Sequence, residues 1–240
     1  DPQQLPQVSQ GTHPFPVDRS ALSWLADGHD TLPDELGYFL DRTWRMHPAL
    51  TAVVSRLSYE DRLDSVPQTA DRDLEGVAPG VRVLLVDHEG DAVSSTAEAA
   101  VVVEQVRAVV GRRWQDPSTG TDRALTSADV LVVAPYNAQV ATVRRALRNA
   151  GLDGVEVGTV DKFQGQEAPV AILTTAASSP DDVPRGMEFL LNRNRLNVAI
   201  SRAQWCAIVV RSRALTDYLP HRPEQLAELG AFLGLADPPT

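Results

Sequence analysis

The sequence predicts an α/β fold in which one open, mainly parallel sheet carries helices on both sides. Short continuous apolar runs recur along the chain, and each is followed by a helical or loop segment. Such runs are typical of parallel strands buried on both faces. The alternation of strand with helix favours this architecture over an all-β sandwich. The predicted strands are residues 36–40 (LGYFL), 81–86 (VRVLLV), 129–134 (DVLVVA), 155–160 (VEVGTV), 169–176 (PVAILTTA) and 205–210 (WCAIVV).

Three helices are predicted between these strands, at residues 47–60, 95–114 and 137–151. The second begins with a capping box, because Glu98 stands three residues after Ser95. The third has one apolar face and ends at Gly151, a residue type that commonly follows a helix. Two polar stretches, residues 61–80 and 112–129, are predicted to be surface excursions because they are rich in Pro, Gly and Asp.

Composition limits the classes of function. The net charge is -10 and the pI is near 4.9, which opposes a broad electrostatic footprint for nucleic acid, so any such binding must be local. The single cysteine, Cys206, lies in an apolar run, which excludes a disulfide framework and indicates a buried thiol in a reducing compartment. The histidines show no metal-ligand spacing, so no metal site is predicted. His47 is interpreted as a helix-start residue.

The chain has no apolar run close to the roughly 20 residues of a membrane span, so we predict a soluble, cytoplasmic protein with no membrane partner. It begins with DPQQLP and not with Met, which suggests that it was cut from something longer. Residues 1–30 carry no clear strand and are interpreted as a linker or part of a neighbouring element. Residues 223–240 are predicted to form one amphipathic helix and a tail.

Three loops follow predicted strands, at the carboxyl ends where parallel α/β proteins bind ligands. They are WRMHP (44–48), PYNAQ (135–139) and DKFQGQE (161–167). The helix in LNRNRLNVAISRAQ (191–204) is expected beside the last loop, with Arg202 at the same edge. Arg45 and Arg202 would then form a phosphate clamp, because the arginine fork stays charged and matches phosphate oxygens. Alternatively, both are surface residues paired with Asp or Glu.

Five segments carry a family resemblance: DPQQLPQV (1–8), TWRMHP (43–48), APYNAQ (134–139), VGTVDKFQGQEAPV (157–170) and RLNVAISRA (195–203). In this order they resemble motif III, the motifs that follow it, motif V and motif VI of superfamily 1 helicases. The similarity is to the second, C-terminal RecA-like domain, in the branch of the nonsense-mediated decay helicase (Nam7-like) and Dna2-type enzymes. It implies a RecA-like, three-layer fold of the P-loop NTPase type. VSQGTHP and DVPRGMEFLLNRNRLNVAISRA also resemble bacterial fusions of a RecB-like nuclease with such a helicase.

The resemblance implies a domain division. Residues 1–32 would be the motif III segment and a linker from a first motor domain. Residues 33–216 would form the second RecA-like domain, and residues 217–240 a C-terminal helix and tail.

Nucleotide-binding positions of the family are matched by Gln4, Arg45, Gln164, Gly165, Glu167 and Arg202. The resemblance implies that Gln4 senses the γ-phosphate and that Arg45 and Arg202 are arginine fingers. Gly165 would let the backbone approach the nucleotide, and Glu167 would contact the ribose or order the arginines.

The positions where such helicases touch a single strand, or couple it to ATP, are matched by Pro135, Tyr136, Asn137, Thr159 and Asp161. Backbone N–H groups and small side chains hold phosphates at such places, so an acidic pI is compatible with this role. Two alternatives stay open. Tyr136 could simply cap the sheet, and Asp161 and Glu167 could only solvate their loop.

An essential part of an ATPase is not found in the sequence. ATP hydrolysis in this class needs a P-loop lysine and a carboxylate for magnesium. The only lysine is Lys162, which stands between Asp161 and Phe163, so no GK[ST] motif occurs. The resemblance assigns the P-loop and the Mg²⁺ ligands to the first RecA-like domain. This chain alone is therefore predicted to be inactive and to need that domain, ATP and Mg²⁺.

The leading hypothesis is the C-terminal motor domain of an ATP-dependent superfamily 1 DNA helicase or translocase. Its partners would be single-stranded DNA, or alternatively RNA, and the first RecA-like domain, in a DNA repair or nuclease-linked setting. The alternative is a degenerate RecA-like module that only binds a partner or nucleic acid. A dinucleotide-binding enzyme is disfavoured, because the loose glycine cluster at residues 151–158 leads into a strand and does not follow one.

Overall fold

The computed structural model describes residues 1, 3–5, 20–26, 29 and 31–236. The helices are α1 (Ala21–Ala26), α2 (Pro48–Ser58), α3 (Thr96–Val109), α4 (Asn137–Asn149), α5 (Met187–Leu191), α6 (Arg193–Ile200) and α7 (Pro223–Leu233). The strands are β1 (Arg42–Thr43), β2 (Asp64–Ser65), β3 (Asp73–Leu74), β4 (Gly80–Val86), β5 (Arg113–Asp116), β6 (Thr121–Ala124), β7 (Val130–Val133), β8 (Glu156–Gly158), β9 (Ala168–Thr174) and β10 (Ala203–Ser212).

A parallel five-stranded sheet with the order β4-β10-β9-β7-β8 forms the centre of the fold. Successive residues of β10 point to opposite faces, so Ile208 packs into one apolar cluster and Val209 into another. Helices α3 and α4 cover the first face, and α2, α6 and α7 cover the second. The three-layer α/β prediction is confirmed, as are five of the six predicted strands.

The sixth predicted strand, LGYFL at residues 36–40, is wrong. These residues are described by the structure and form no strand. Tyr38 is 97% exposed and Leu40 is 84% exposed, so the run contributes little to a core. The chain pairs a few residues later, where β1 lies parallel to β2. A short apolar run predicts a buried strand only when a partner strand is available to cover it.

The predicted end of the second helix at residue 114 is wrong, because residues 113 and 114 belong to β5. The predicted ends of the other helices have clear physical causes. Helix α2 begins after His47, whose Nδ1 accepts a hydrogen bond from Ala49 N at 3.2 Å, and Pro48 occupies the first turn. Helix α4 is followed by Gly151, whose φ of 73° lies in the left-handed region that favours glycine. The interpretations of His47 and Gly151 are confirmed.

The capping box predicted at α3 is half wrong. Ser95 Oγ accepts a hydrogen bond from Glu98 N at 3.2 Å, as expected. The Glu98 carboxylate does not return the bond to Ser95 N, which donates instead to Gln139 Oε1 at 2.7 Å. Glu98 is fully buried and turns toward the end of β9, where it accepts bonds from Thr175 N at 2.9 Å and Ala176 N at 3.0 Å. Helix α3 is thus fastened to the sheet by one carboxylate.

His88 completes this buried polar cluster. Its Nε2 lies 3.3 Å from Glu98 Oε1, and its Nδ1 lies 2.8 Å from Ser178 Oγ and 3.0 Å from Asp91 Oδ2. The hydrogen bond with Glu98 raises the pKa of His88 above its ordinary value, and the charges of Glu98 and Asp91 act in the same direction against the effect of burial. The folded protein therefore favours the protonated imidazole.

We expect His88→Gln to lower the free energy of unfolding by about 1.5–3 kcal/mol near pH 6, since a charged hydrogen bond is lost. Because the folded-state pKa is raised, the contribution of His88 is complete below its unfolded pKa and disappears as the pH rises through the folded pKa. Urea denaturation from roughly pH 5.5 to 8.5 should show the gap between wild type and variant narrowing. The exposed His221 gives the control variant His221→Gln. A gap that widens with rising pH would contradict this account.

The two polar stretches contain a second sheet that the sequence analysis missed. Strands β3, β5 and β6 pair antiparallel, and the sheet draws on both stretches. Trp114 of β5 is buried and lies with its ring 6.1 Å from that of Trp205. The small sheet is therefore packed on the main domain and is not a loose excursion.

Helix α7 confirms the predicted amphipathic helix at the end of the chain: Phe232 is buried, whereas Leu226 is 61% exposed. The division at residues 32 and 216 stays a prediction. None of the helices in the described part of the chain combines the length and apolar character that crossing a membrane requires.

Candidate functional site

The predicted nucleotide-binding arginines lie at the amino-terminal edge of the sheet. Glu167 stands directly before β9 and Arg202 directly before β10. The expectation that this group sits at the carboxyl ends is wrong. In a parallel sheet the chain must return to the amino edge before each new strand. The loop at residues 159–167 makes that return: it leaves the carboxyl end of β8 and finishes at the start of β9.

Arg45 and Arg202 are brought together, as predicted. Arg45 donates from Nη1 to the carbonyl of Ser201 at 3.1 Å, and Ser201 is the residue before Arg202. Its Nε donates to Glu167 Oε2 at 2.6 Å. Within the described ranges, Nη2 of Arg45 has no hydrogen-bond partner. Arg45 is thus fixed in direction and keeps donor capacity for a further acceptor.

Arg202 is 2% exposed, and its partners are oxygen atoms of uncharged groups. Nε donates to Val198 O at 2.9 Å, and Nη1 lies 3.4 Å from Phe163 O and 3.2 Å from Gln166 O. No salt bridge to a carboxylate is found for it among the residues that the structure covers. Burial, followed by the charge of Arg45, lowers the pKa of Arg202 to about 10. At neutral pH it is therefore a buried cation beside a second cation.

Glu167 is the acidic group closest to this pair. Burial would raise the pKa of Glu167, but hydrogen bonds from Arg45 and Gln204 and the positive charges of Arg45 and Arg72 hold it below the ordinary value. Gln204 Nε2 donates to its second oxygen at 2.9 Å. The carboxylate is thus charged at neutral pH, and it orients Arg45. This contact favours the interpretation that Glu167 orders the arginines over that of a solvated loop residue.

Arg72 and Asp116 form a buried ion pair behind the Trp44–Arg45 turn, and sequence reasoning missed both. Arg72 Nε lies 3.0 Å from Asp116 Oδ2, and both side chains are 5% exposed. The remaining guanidinium nitrogens donate to the carbonyls of Arg45 and Trp44, the latter at 3.3 Å. Through Arg72, the small antiparallel sheet therefore holds the backbone of Arg45 in place. No local sequence signal links residues 44 positions apart in two polar stretches.

Gln4 shares a cavity with Arg45 and Glu167. The cavity has a volume of about 630 Å³, and its rim includes Trp44, which is 70% exposed. Asn194 Nδ2 donates to the Gln4 carbonyl at 3.0 Å, which holds the first residues of the chain along α6. The volume is typical of a small-molecule site. Pro2 and residues 6–8 of the predicted motif III match lie outside the described residues, as does all of VSQGTHP.

Gln164 and Gly165 are exposed and do not line this cavity. Gly165 has a φ of +83°, and no atom lies within 4 Å of the position that a β-carbon would take. The glycine is thus required by its backbone conformation, and the space beside it is open. The turn they belong to supplies the Phe163 and Gln166 carbonyls that bind Arg202.

The predicted single-strand contacts lie at the opposite, carboxyl edge. Pro135, Tyr136 and Asn137 follow β7, and Thr159 follows β8, so they neighbour one another across the sheet. Asn137 and Asp161 are exposed, and Thr159 is half-buried. The carboxyl-edge expectation is thus correct for the PYNAQ loop.

Tyr136 is packed against protein and is not presented as a free ring. Its ring stacks on Phe189 with centroids 5.6 Å apart, and its hydroxyl is buried with no hydrogen-bond partner among the described residues. Burial raises the pKa of Tyr136, and the nearby charge of Arg185 opposes this shift. The sheet-capping interpretation of this tyrosine therefore fits better than stacking on a base.

Comparison with known proteins identifies the class. Residues 17–214 match the family described as AAA domain, so the chain belongs to this family. Over 224 residues it is 30% identical to the DNA-binding protein SMUBP-2 of Rattus norvegicus, a match that covers 85% of this chain and 21% of that protein. The relatives confirm the predicted resemblance at a coarse level: this is a superfamily 1 helicase-like domain with a helicase-type motor fold.

Two further relatives are named as helicases. The chain is 46% identical over 81 residues to DNA polymerase alpha-associated DNA helicase A of Schizosaccharomyces pombe, covering 34% of this chain and 12% of that protein. It is 40% identical over 89 residues to the human RNA helicase Mov10l1, covering 36% of this chain and 7% of that protein. In all three cases the chain spans about a fifth or less of the relative's length.

Proposed function

We propose that this chain is the second motor domain of an ATP-dependent superfamily 1 DNA helicase or translocase. It supplies Arg45 and Arg202 to an ATP site shared with a first RecA-like domain. The observation that carries the proposal is the buried Arg202, which has no directly paired carboxylate in the described part of the chain and lies beside a second arginine. Such an arrangement is costly unless an anion balances it. A triphosphate is an anion of suitable charge, and arginine forks match its oxygens.

The residues at the amino edge fit part of a nucleotide. Gln4, Arg45 and Glu167 line one open cavity, and the exposed Trp44 indole offers a flat apolar surface to a base. The sequence has no GK[ST] loop, so the P-loop and the Mg²⁺ carboxylates are expected from the first domain. Bound Mg²⁺ would neutralise phosphate charge, and the residues of this chain would bind and orient the nucleotide.

Domain closure would bring the γ-phosphate to the donor group Nη2 of Arg45, which Glu167 and Ser201 already hold in place. Arg202 lies behind Ser201, so its direct contact with a phosphate requires the turn at residues 163–166 to release a carbonyl. Gln164 and Gly165 are the exposed residues of that turn. Their role would be to let the turn move when the carbonyl is released. Preorganised cations of this kind act without reorganisation at the moment of reaction.

Single-stranded nucleic acid would run along the carboxyl edge past Pro135, Asn137 and Thr159, with Asp161 at the start of the returning loop. We propose DNA as the partner and RNA as the alternative, since relatives carry names of both kinds. The repair setting, the nuclease-linked parent protein of the Dna2 or bacterial type, and the cytoplasmic location remain predictions of the same proposal.

A second candidate function is a degenerate module that binds a partner or nucleic acid without catalysis. The hydrogen bonds of Arg202 to three protein carbonyls favour this candidate. They are as compatible with a purely structural arginine as with one that later contacts a phosphate. The conjunction of Arg45, Glu167 and Arg202 at one edge favours the motor, because a scaffold does not need them together.

Steady-state ATP turnover separates the two candidates. The natural polypeptide that contains this chain should hydrolyse ATP faster when a single-stranded oligonucleotide is added, because the strand and nucleotide sites lie on the same domain. The comparison uses oligonucleotides of DNA and of RNA at equal length. Turnover that is the same with and without either strand would favour the binding module.

A further inference from the structure

Two arginines meet on one aromatic ring at the carboxyl edge of the sheet. The guanidinium carbon of Arg185 lies 4.1 Å from the ring centroid of Phe189, and that of Arg195 lies 4.5 Å from the same centroid. Tyr136 stacks on this ring from the PYNAQ loop. We call Arg185, Phe189 and Arg195 the arginine patch. Because both distances end on one ring, the two cations are close neighbours.

The arginine patch carries unbalanced positive charge. Neither guanidinium group forms a salt bridge or a hydrogen bond within the described part of the chain. Arg185 is exposed and Arg195 is half-buried, so both are accessible. Residues 185–202 contain four arginines and one acidic residue, Glu188, in a chain whose net charge is -10. Glu188 contacts Gln225 of α7, away from the two cations.

The patch also adjoins the predicted single-strand contacts. Arg195 and Phe189 line a small cavity together with Pro135 and Thr175, which follow β7 and β9 at their carboxyl ends. Thr159 follows β8, the next strand of the sheet. The patch therefore extends the row of carboxyl-edge residues by two cations.

We propose that Arg185 and Arg195 bind consecutive phosphates of a single-stranded nucleic acid that lies on the carboxyl edge. This inference rests on the proposed function, and it adds two cations to the contacts proposed at that edge. Affinity for a polyanion must be local in a protein of this charge. The arginine fork is suited to the task, since it hydrogen-bonds phosphate at its rim while its flat face stays on the ring.

The stacked arrangement gives the patch its rigidity. A long arginine side chain loses rotamer freedom when it is immobilised on a ligand. Here the Phe189 ring, itself packed on Tyr136, limits that freedom before binding. Lysine at either position would keep the charge and lose the planar contact.

The test measures binding of a fluorescein-labelled oligothymidylate to the 240-residue chain by anisotropy, from about 50 to about 200 mM NaCl. Arg185→Gln/Arg195→Gln should weaken binding at least about tenfold for the pair. It should also reduce the slope of log K against log salt by about 0.7 for each lost phosphate contact. The matched control is Arg107→Gln, an exposed arginine in the last turn of α3, which should leave the salt slope unchanged.

The charge-conserving Arg185→Lys/Arg195→Lys should weaken binding while it keeps the salt slope, which a mere loss of folding would not do. Three outcomes overturn the inference in different ways. If the glutamine double variant binds like wild type while Asn137→Ala binds more weakly, the patch is not a strand contact and the proposed function stands. If Arg107→Gln changes the slope as much as the double variant, only overall charge matters. If the wild-type chain binds no oligothymidylate, the proposed strand edge fails together with the patch.

Discussion

Replacing Arg202 with alanine is expected to lower ATP turnover by about 10³-fold or more in a protein that joins this chain to a first RecA-like domain. Nucleotide affinity should change little, because the proposed contact forms only when the domains close on the triphosphate. The physical reason is the buried charge of Arg202, which forms no salt bridge with any described residue and would be balanced by the phosphate in the closed state. Turnover and nucleotide binding are measured on the same preparation.

The control for this experiment must also be a buried arginine, because removal of Arg202 takes one donor away from each of three carbonyls. Arg211 meets the requirement: it is 7% exposed and lies near the far end of β10, the strand that Arg202 directly precedes, with Ser212 and Thr216 as partners. Arg211→Ala should destabilise the domain and keep most of the turnover of the protein that remains folded. Wild-type turnover in Arg202→Ala, or equal loss in both variants, would contradict the arginine-finger assignment.

The strands of the main sheet could be predicted from the sequence, because they are continuous apolar runs that are covered on both faces. Runs such as VLVV in β7 and AILT in β9 are buried on both faces, so neighbouring residues are all apolar or small. The same reasoning failed for LGYFL, where an apolar run is exposed. Periodicity reports the composition of a segment and not whether another strand lies beside it.

Local rules also identified helix ends but not the partners of charged side chains. The Ser95–Glu98 spacing correctly predicted the cap on the amide of Glu98, yet the carboxylate binds residues 76 to 78 positions away. Arg72 and Asp116 are separated by 44 residues. Such contacts depend on how the sheet is ordered, which no short pattern contains.

Motifs succeeded where periodicity could not. Arg45, Glu167 and Arg202 are distant in the chain, yet they meet at one edge as the resemblance implied. The edge itself was assigned wrongly, because the rule for ligand loops applies to segments that follow strands. Glu167 and Arg202 precede strands, and their loops had already crossed the sheet.

Two segments connect the carboxyl edge with Arg45 and Arg202 at the amino edge. The loop at residues 159–167 runs from Thr159 to Glu167, and α6 runs from the arginine patch to Arg202. The two segments touch where Arg202 donates to Phe163 O and Gln166 O. A shift of Arg202 toward a phosphate would therefore change a contact that both segments share. Under the proposed function, this contact links the nucleotide site with the strand site.

Asp116→Asn is expected to lower the free energy of unfolding by about 3–5 kcal/mol, because it leaves the buried Arg72 without its counter-charge. The asparagine keeps the shape of the side chain, so the effect reports the charge and not a cavity. Asp122→Asn in the same hairpin is the matched control: Asp122 pairs with Arg113 on the surface, and its loss should change stability little. Urea denaturation of both variants measures the difference.

The same variant should also reduce ATP turnover at a temperature where it remains folded. Arg72 holds the carbonyls of Trp44 and Arg45, and without Asp116 its guanidinium is free to turn away from them. Arg45 would then lose the backbone support that directs it toward the proposed phosphate, and small displacements of a positioned group lower turnover strongly. If Asp116→Asn destabilises the fold but the folded fraction hydrolyses ATP at the wild-type rate, the ion pair supports the domain without positioning Arg45.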